Sequence, residues 1–264
     1  MAPLLEIENL THYFGGLRAV YNFSLTLEGG ELMGLIGPNG AGKTTVFNLV
    51  CGFYRQSEGK VLFDGRETSG LRPHQVTALG IARTFQSIRL WNSLSVFDNL
   101  CISQHSHLGY GFFQSVFQTR RFYECENRVR KTSAELLDLL GLRHYALELP
   151  KNLPYGLQRR LEIGRALSLR PKLLLLDEPA AGMNPSEVDQ LIELIRWIRD
   201  EFKLTVWLIE HNIRVVMSVC ERIKVVDFGE TIAEGVPQEI KQNRRVIQAY
   251  LGEEEPVHVH ARSN

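Results

Sequence analysis

The sequence predicts an α/β protein: a parallel sheet covered by helices, with an antiparallel β region near its N-terminal end and a helical subdomain inserted in the middle. Two observations carry this expectation. Short apolar runs at 173–176 (LLLL), 204–209 (LTVWLI) and 223–226 (IKVV) alternate with helix-patterned segments, as strands buried on both faces do. Between about Val96 and Leu142 the strand signals vanish, and Val129, Leu136, Leu137 and Leu140 recur at helical spacing.

In chain order, LLEIENL from Leu4 alternates like a half-buried strand, and FGG at Phe14 to Gly16 makes a turn. GGELMGLIG leads from Gly29 into a buried strand, and a helix begins near Lys43. SEGKVLFDG (57–65) reads as a strand between turn residues. Within the insertion, the aromatic stretch YGFFQSVFQTRRFY (110–123) is expected to be buried, with part of a docking surface as the alternative, and Arg120 and Arg121 on a solvated face. The polar tail EEEPVHVHARSN is expected to be disordered, with His258 and His260 in solvent.

At 264 residues the chain suits one α/β core with a subdomain. Thirty basic residues balance thirty acidic ones, so no global field draws it onto nucleic acid, and no nucleic-acid partner is expected. Cys51, Cys101, Cys125 and Cys220 form no CxxC pair, which predicts reduced thiols and a cytosolic address. No signal peptide is recognisable, and no apolar run approaches the roughly 20 residues of a membrane span. Any service to a membrane is expected to run through partners.

GPNGAGKT matches G-x-x-x-x-G-K-[ST], between a predicted strand and a predicted helix. In Gly37, Pro38, Asn39, Gly40, Ala41, Gly42, Lys43 and Thr44, the glycines let backbone N–H groups turn towards phosphate oxygens. Lys43 supplies a charge for the β and γ phosphates, and Thr44 can ligate Mg²⁺. A dinucleotide fingerprint fails because Thr45 stands where G-x-G-x-x-G needs its third glycine. The four leucines at 173–176 deliver Asp177 and Glu178 to the carboxyl end of a strand, where open α/β sheets bind ligands. Asp177 suits Mg²⁺, directly or through water, and Glu178 suits a general base.

These features define a P-loop NTPase. Three more narrow it: Gln86 in IARTFQSIRLW, the run LPYGLQRRLEIGRAL from Leu153, and His211 after LTVWLI. Together they resemble the ABC ATPase family in its glutamine loop, signature motif and switch histidine, over about Leu4 to Gly252. The resemblance implies a RecA-like core at 4–87 and 165–235, a helical subdomain at 88–164, a C-terminal helix at 236–252 and a tail at 253–264. It implies ATP and Mg²⁺ as cofactors, with Phe14 stacked on adenine (Tyr13 the substitute) and Phe14, Gly37 to Thr45 and Asp177 around the nucleotide. Thr44, Gln86 and Asp177 would surround Mg²⁺, partly through water, while Gln86 could instead touch the attacking water and His211 would contact the γ-phosphate and hold that water in line, which makes Glu178, His211 and Gln86 the catalytic set. AAGMN (180–184) looks like the loop that crosses a dimer interface, with Asn184 where many relatives carry aspartate.

The signature departs from the family pattern. Pro154 stands where relatives have a serine, and it offers neither hydroxyl nor backbone N–H. An asymmetric pairing with a second, nonidentical ABC ATPase is therefore expected. IARTFQSIRL, YGLQRRLEIGRAL, LDEPAAGMNP and GVPQEIKQNRRVIQAYLGE look most like the ATPase of branched-chain amino acid importers. That implies two transmembrane permease subunits, an external solute-binding protein, and a peripheral position on the cytoplasmic face of the plasma (inner) membrane. Urea, amide and other amino acid importers, an exporter, a soluble non-transport ABC protein acting on ribosomes or DNA, and a regulatory or structural paralogue that binds ATP without turning it over stay open as alternatives.

Overall fold

The computed structural model describes residues 2–107 and 109–251. The expectations for the tail, His258 and His260 included, lie outside the described residues. The chain opens with the hairpin β1 (Leu5–Phe14) and β2 (Leu17–Leu27), then crosses to a second sheet with β3 (Leu32–Ile36). Helix α1 (Lys43–Val50) leads back to β4 (Glu58–Phe63) and the short β5 (Arg66–Glu67). After α2 (Pro73–Leu79) and β6 (Ile81–Arg83) come the inserted helices α3 (Val96–Ser103), α4 (Phe112–Val116), α5 (Arg120–Leu139) and α6 (Tyr155–Leu167). The core resumes with β7 (Leu173–Asp177), α7 (Pro185–Phe202), β8 (Thr205–Ile209) and α8 (Ile213–Val219). The hairpin β9 (Arg222–Asp227) and β10 (Glu230–Gly235) follows, then α9 (Pro237–Gln242) and α10 (Arg244–Leu251).

The first sheet is antiparallel, in the order β2-β1-β4-β5, as expected of the N-terminal region. The second has the order β10-β9-β3-β8-β7-β6, parallel throughout except for β10, which pairs antiparallel with β9 at the edge. Side chains along a strand alternate between faces, so this sheet feeds two cores. Leu174, Leu176, Val206 and Leu208 face α6, α7 and α8, whereas Leu173, Leu175, Trp207 and Ile209 face α1 and the antiparallel sheet. Helices thus cover one face as expected, while the other is shared with a second sheet. Trp207 anchors that second layer, its ring 4.9 Å from Phe47 and 6.3 Å from Phe23.

Two expectations are corrected. None of residues 110–123 is buried: Phe112, Phe113 and Phe117 are 77%, 75% and 75% exposed. The apolar pattern of that stretch marks a face of α4 that no other element covers. The C-terminal segment is two helices, because Asn243 interrupts it: its Oδ1 accepts from the amides of Arg245 (3.0 Å) and Val246 (3.4 Å), so a new helix starts there.

The inserted helices pack on one another at α6, where Gly164 allows close approach to α3 and the end of α5. A Cβ at Gly164 would lie 2.4 Å from Leu140 Cδ1 and 3.2 Å from Leu100 Cδ2, both in the buried core. Gly164→Ala should therefore lower stability by about 1–3 kcal/mol, read as a fall in the urea midpoint at unchanged slope.

Candidate active site

The loop between β3 and α1 wraps back on itself because two of its glycines tolerate contacts that a side chain would forbid. A Cβ at Gly37 would lie 2.0 Å from the Val226 carbonyl oxygen, and one at Gly42, with φ at 97°, would lie 2.4 Å from the Ala19 carbonyl oxygen. Lys43 opens α1 and folds over the loop, its Nζ donating to the carbonyls of Gly37 (2.7 Å) and Pro38 (2.9 Å). Burial lowers the Lys43 pKa, and the Glu178 and Asp177 carboxylates pull it back up. The loop borders a cavity of about 610 Å³ that Asn39, Gly40, Ala41, Gly42, Lys43, Thr44, Thr45, Gln86 and Glu178 line.

Phe14 lines the same cavity and is half exposed. It is braced edge-on by His12 (ring centroids 4.6 Å) and Tyr54 (5.3 Å), which gives it the stiffness that a stacking platform needs. Tyr13 does not line the cavity.

The three expected catalytic side chains meet. Gln86 Nε2 donates to Glu178 Oε2 at 2.7 Å, and His211 Nδ1 stands 3.6 Å from the same oxygen. Glu178 has a left-handed backbone, φ 45°, a conformation that non-glycine residues adopt at a cost of about 1–3 kcal/mol. It is held there by its own amide, which donates to Ile209 O at 2.9 Å at the end of neighbouring β8. Glu210 fixes the two loops together. Its buried carboxylate accepts from the amide of Ala180 (2.7 Å) on one oxygen, and from those of His211 and Asn212 (3.1 Å each) on the other.

Asp177 sits behind the cavity, not in its wall. Its Oδ2 pairs with Arg83 Nη2 at 2.7 Å, and Arg83 Nη1 reaches Asn48 Oδ1 at 2.7 Å. Burial pushes the Asp177 carboxyl upward, Arg83 opposes it, and the neighbouring Glu178 charge adds to the rise. Asp177 Oδ1 is buried without a hydrogen-bond partner. A carboxylate oxygen left open on a side chain near enough for its charge to act on Lys43 fits a hard, oxygen-seeking cation such as Mg²⁺.

The glutamine loop is pinned from the signature helix. Arg159 is wholly buried and donates to Phe85 O (2.9 Å), Gln86 O (3.0 Å) and Glu162 Oε2 (2.6 Å), while Glu162 Oε1 accepts from the amides of Phe85 and Arg89 (3.4 Å each). Burial raises the Glu162 carboxyl, and Arg159 opposes that rise.

Sequence reasoning missed Leu17, Arg18, Ala19 and Phe228 in the cavity wall, and Arg83, Arg159, Glu162 and Glu210 behind it. For the last four, the available signal was charge inside otherwise apolar, motif-flanking segments.

The parallel sheet, phosphate loop, paired acids and inserted helices define a P-loop nucleoside triphosphatase. The ABC transporter family matches residues 20–181, and the family described as branched-chain amino acid ATP-binding cassette transporter matches residues 230–256. The chain belongs to the ABC transporter family and is one of its ATP-hydrolysing, ATP-binding subunits. It is 44% identical over 251 residues to the high-affinity branched-chain amino acid transport ATP-binding protein BraF of Pseudomonas aeruginosa, covering 95% of this chain and 98% of that one. It is 45% identical over the same length and coverage to the corresponding LivG protein of Salmonella typhimurium. Among solved structures, the ADP conformation of an ATP-binding cassette of an ABC transporter superposes with a TM-score of 0.83 at 29% identity, over 96% of this chain and 100% of that one.

Glu210 gives a test of how the site is held. Glu210→Gln offers one acceptor oxygen to the three amides and should cost about 1–3 kcal/mol. Burial raises the Glu210 carboxyl above its unfolded value. The wild type should therefore lose stability as pH rises from the unfolded towards the folded value, a slope that the non-titrating variant lacks. Urea melts across pH measure both.

Proposed function

We propose that this chain drives an importer of branched-chain amino acids, on the cytoplasmic face of the inner membrane, with two transmembrane permease subunits and a second, nonidentical ABC ATPase. An external solute-binding protein delivers leucine, isoleucine or valine to that assembly. The observation that carries the motor part is the meeting of Gln86 and His211 on one oxygen of Glu178 at the mouth of the phosphate-loop cavity. The transported solute is argued from the names of the relatives and from the branched-chain family match at 230–256.

In this reading adenine stacks on Phe14 and the triphosphate lies along the amides of Gly37 to Thr45. Lys43 exchanges its loop carbonyls for the β and γ phosphates. Glu178 takes the proton of the attacking water, a contribution of about 10²–10⁴-fold in rate, while His211 holds the γ-phosphate and Gln86 orients the water. Thr44, Gln86 and Asp177 hold Mg²⁺, which when bound neutralises phosphate charge.

Permease docking is supported by a cleft of about 660 Å³ between core and inserted helices, whose walls include Phe85, Arg89, Trp91, Glu162 and Arg165. A segment seated there would press on the backbone that carries Gln86.

The second ATPase is argued from Pro154. This chain's phosphate loop would form the stronger composite site with the partner's signature, and its own signature the weaker one. Glu178→Gln should lower leucine-stimulated ATP turnover of the assembled transporter by about 10²-fold or more, with the equivalent change in the partner having the smaller effect. If only the partner's change abolished turnover, the asymmetry would run the other way. Turnover indifferent to leucine-loaded binding protein would remove the assigned solute and leave the motor.

Phe14→Ala should weaken ATP binding about tenfold, from a base-stacking contribution of about 1–3 kcal/mol. Equilibrium titration with a fluorescent ATP analogue would measure it, and unchanged affinity would move adenine elsewhere.

A further inference from the structure

Helix α4 carries Phe112, Phe113, Val116 and Phe117 on one side at helical spacing, and Gln114 and Ser115 on the other. All four apolar side chains are more than half exposed. Such a cluster on a protein surface marks a contact that the isolated chain does not make.

The chain around α4 says what covers it. Although the whole chain is balanced in charge, no Asp or Glu occurs between Asp98 and Glu124, and Arg120 and Arg121 begin the next helix. Both arginines are exposed. Arg120 Nε makes one surface pair with Glu124 at 2.8 Å, which is weak and leaves its other donors in solvent. Half-exposed Tyr123 adds an amphipathic ring, its hydroxyl donating to Gln118 Oε1 at 2.8 Å. Phenylalanines without polar handles, an arginine pair and a boundary tyrosine are the chemistry of a surface that enters the interface of an anionic bilayer. Ser103, at the end of α3, lines the cleft assigned to the permease, and the chain runs from there to Phe112.

We infer that α4 and the start of α5 form a membrane-surface contact, with the α4 phenylalanines in the headgroup and upper acyl region and Arg120 and Arg121 on anionic headgroups. The inference rests on the membrane-transport reading. It gives the motor a second hold on the bilayer, separate from its hold on the permease. No helix among the described residues is long and apolar enough to cross a membrane, so the contact is peripheral.

The test is cosedimentation of the full-length chain with vesicles of phosphatidylethanolamine and phosphatidylglycerol, against vesicles of phosphatidylcholine alone. Binding should occur on the anionic vesicles and fall with salt. The double variant Arg120→Glu, Arg121→Glu should lose at least about tenfold in partitioning, since each arginine near an anionic surface contributes roughly fivefold. The triple variant Phe112→Ser, Phe113→Ser, Phe117→Ser should lose binding to a similar or greater degree. Both variants should keep wild-type ATP affinity, which shows that they fold. Failure of the wild type to bind anionic vesicles, or binding untouched by either set of substitutions, overturns the inference. So does a triple variant that binds vesicles normally but no longer copurifies with the permease in detergent, which assigns the face to protein. Loss of the transport reading would instead appear as turnover indifferent to permease and solute, whatever the vesicles do.

Discussion

Desolvation of charge at the carboxyl edge of the parallel sheet is the constraint on which the site depends. Lys43, Asp177, Glu162, Glu210 and Arg159 are all buried there. Burial pushes the three carboxyls up and the lysine down, and a specific partner offsets the cost of burying each group. Asp177 has Arg83, Glu162 has Arg159, Glu210 has three amides, and Lys43 has two carbonyls. Removing one member of a buried pair typically costs about 3–5 kcal/mol, so the loops that carry these groups cannot relax independently. That rigidity lets Glu178 keep its left-handed backbone with its carboxylate between Gln86 and His211.

Arg159 and Glu162 also tie one subdomain to the other. Arg159 belongs to the helix of the signature motif, yet its guanidinium holds the carbonyls of Phe85 and Gln86 in the core. A rotation of α6 must therefore carry the glutamine loop with it or strand a buried charge. Because Gln86 also touches Glu178, displacement of the inserted helices reaches the proposed general base through three side chains. The links are short and polar, and the one at Arg159 is anchored on a wholly buried side chain, which favours two discrete arrangements over gradual deformation.

Contiguity decided what was legible in the sequence. Gly37 to Thr45 could be read directly, because strand, loop and helix adjoin and the glycine spacing has one steric meaning. Asp177 and Glu178 could be read from the apolar run before them. Arg83 could not, because its meaning depends on a partner 94 residues away, nor could Glu210, which reaches 30 residues back to Ala180. Strand β6, three residues long, carries too little periodicity to register. The aromatic stretch at 110–123 was misread for a different reason: periodicity reports that one face is apolar and says nothing of what covers it. Asn243 likewise gave little warning, since one asparagine inside a helical pattern is tolerated unless its side chain caps the next turn.

The departures in the signature and in the interface loop share one physical explanation. Pro154 caps α6 without a side-chain hydrogen bond, so in the proposed composite site this end of the helix would offer only its terminus to phosphate. The residue after it turns inward: the Tyr155 ring lies against Gly182, where a Cβ would stand 3.7 Å from Cζ, and its hydroxyl accepts from Arg159 at 3.3 Å. Asn184 keeps the capping task, its Oδ1 accepting from the amides of Ser186 and Glu187, but it brings no charge. Glu187 completes that cap and packs against Gly156, where a Cβ would meet its Oε1 at 3.2 Å. Signature and interface loop therefore brace each other within one chain. The asymmetric pairing proposed above would use this chain's signature for structure more than for chemistry.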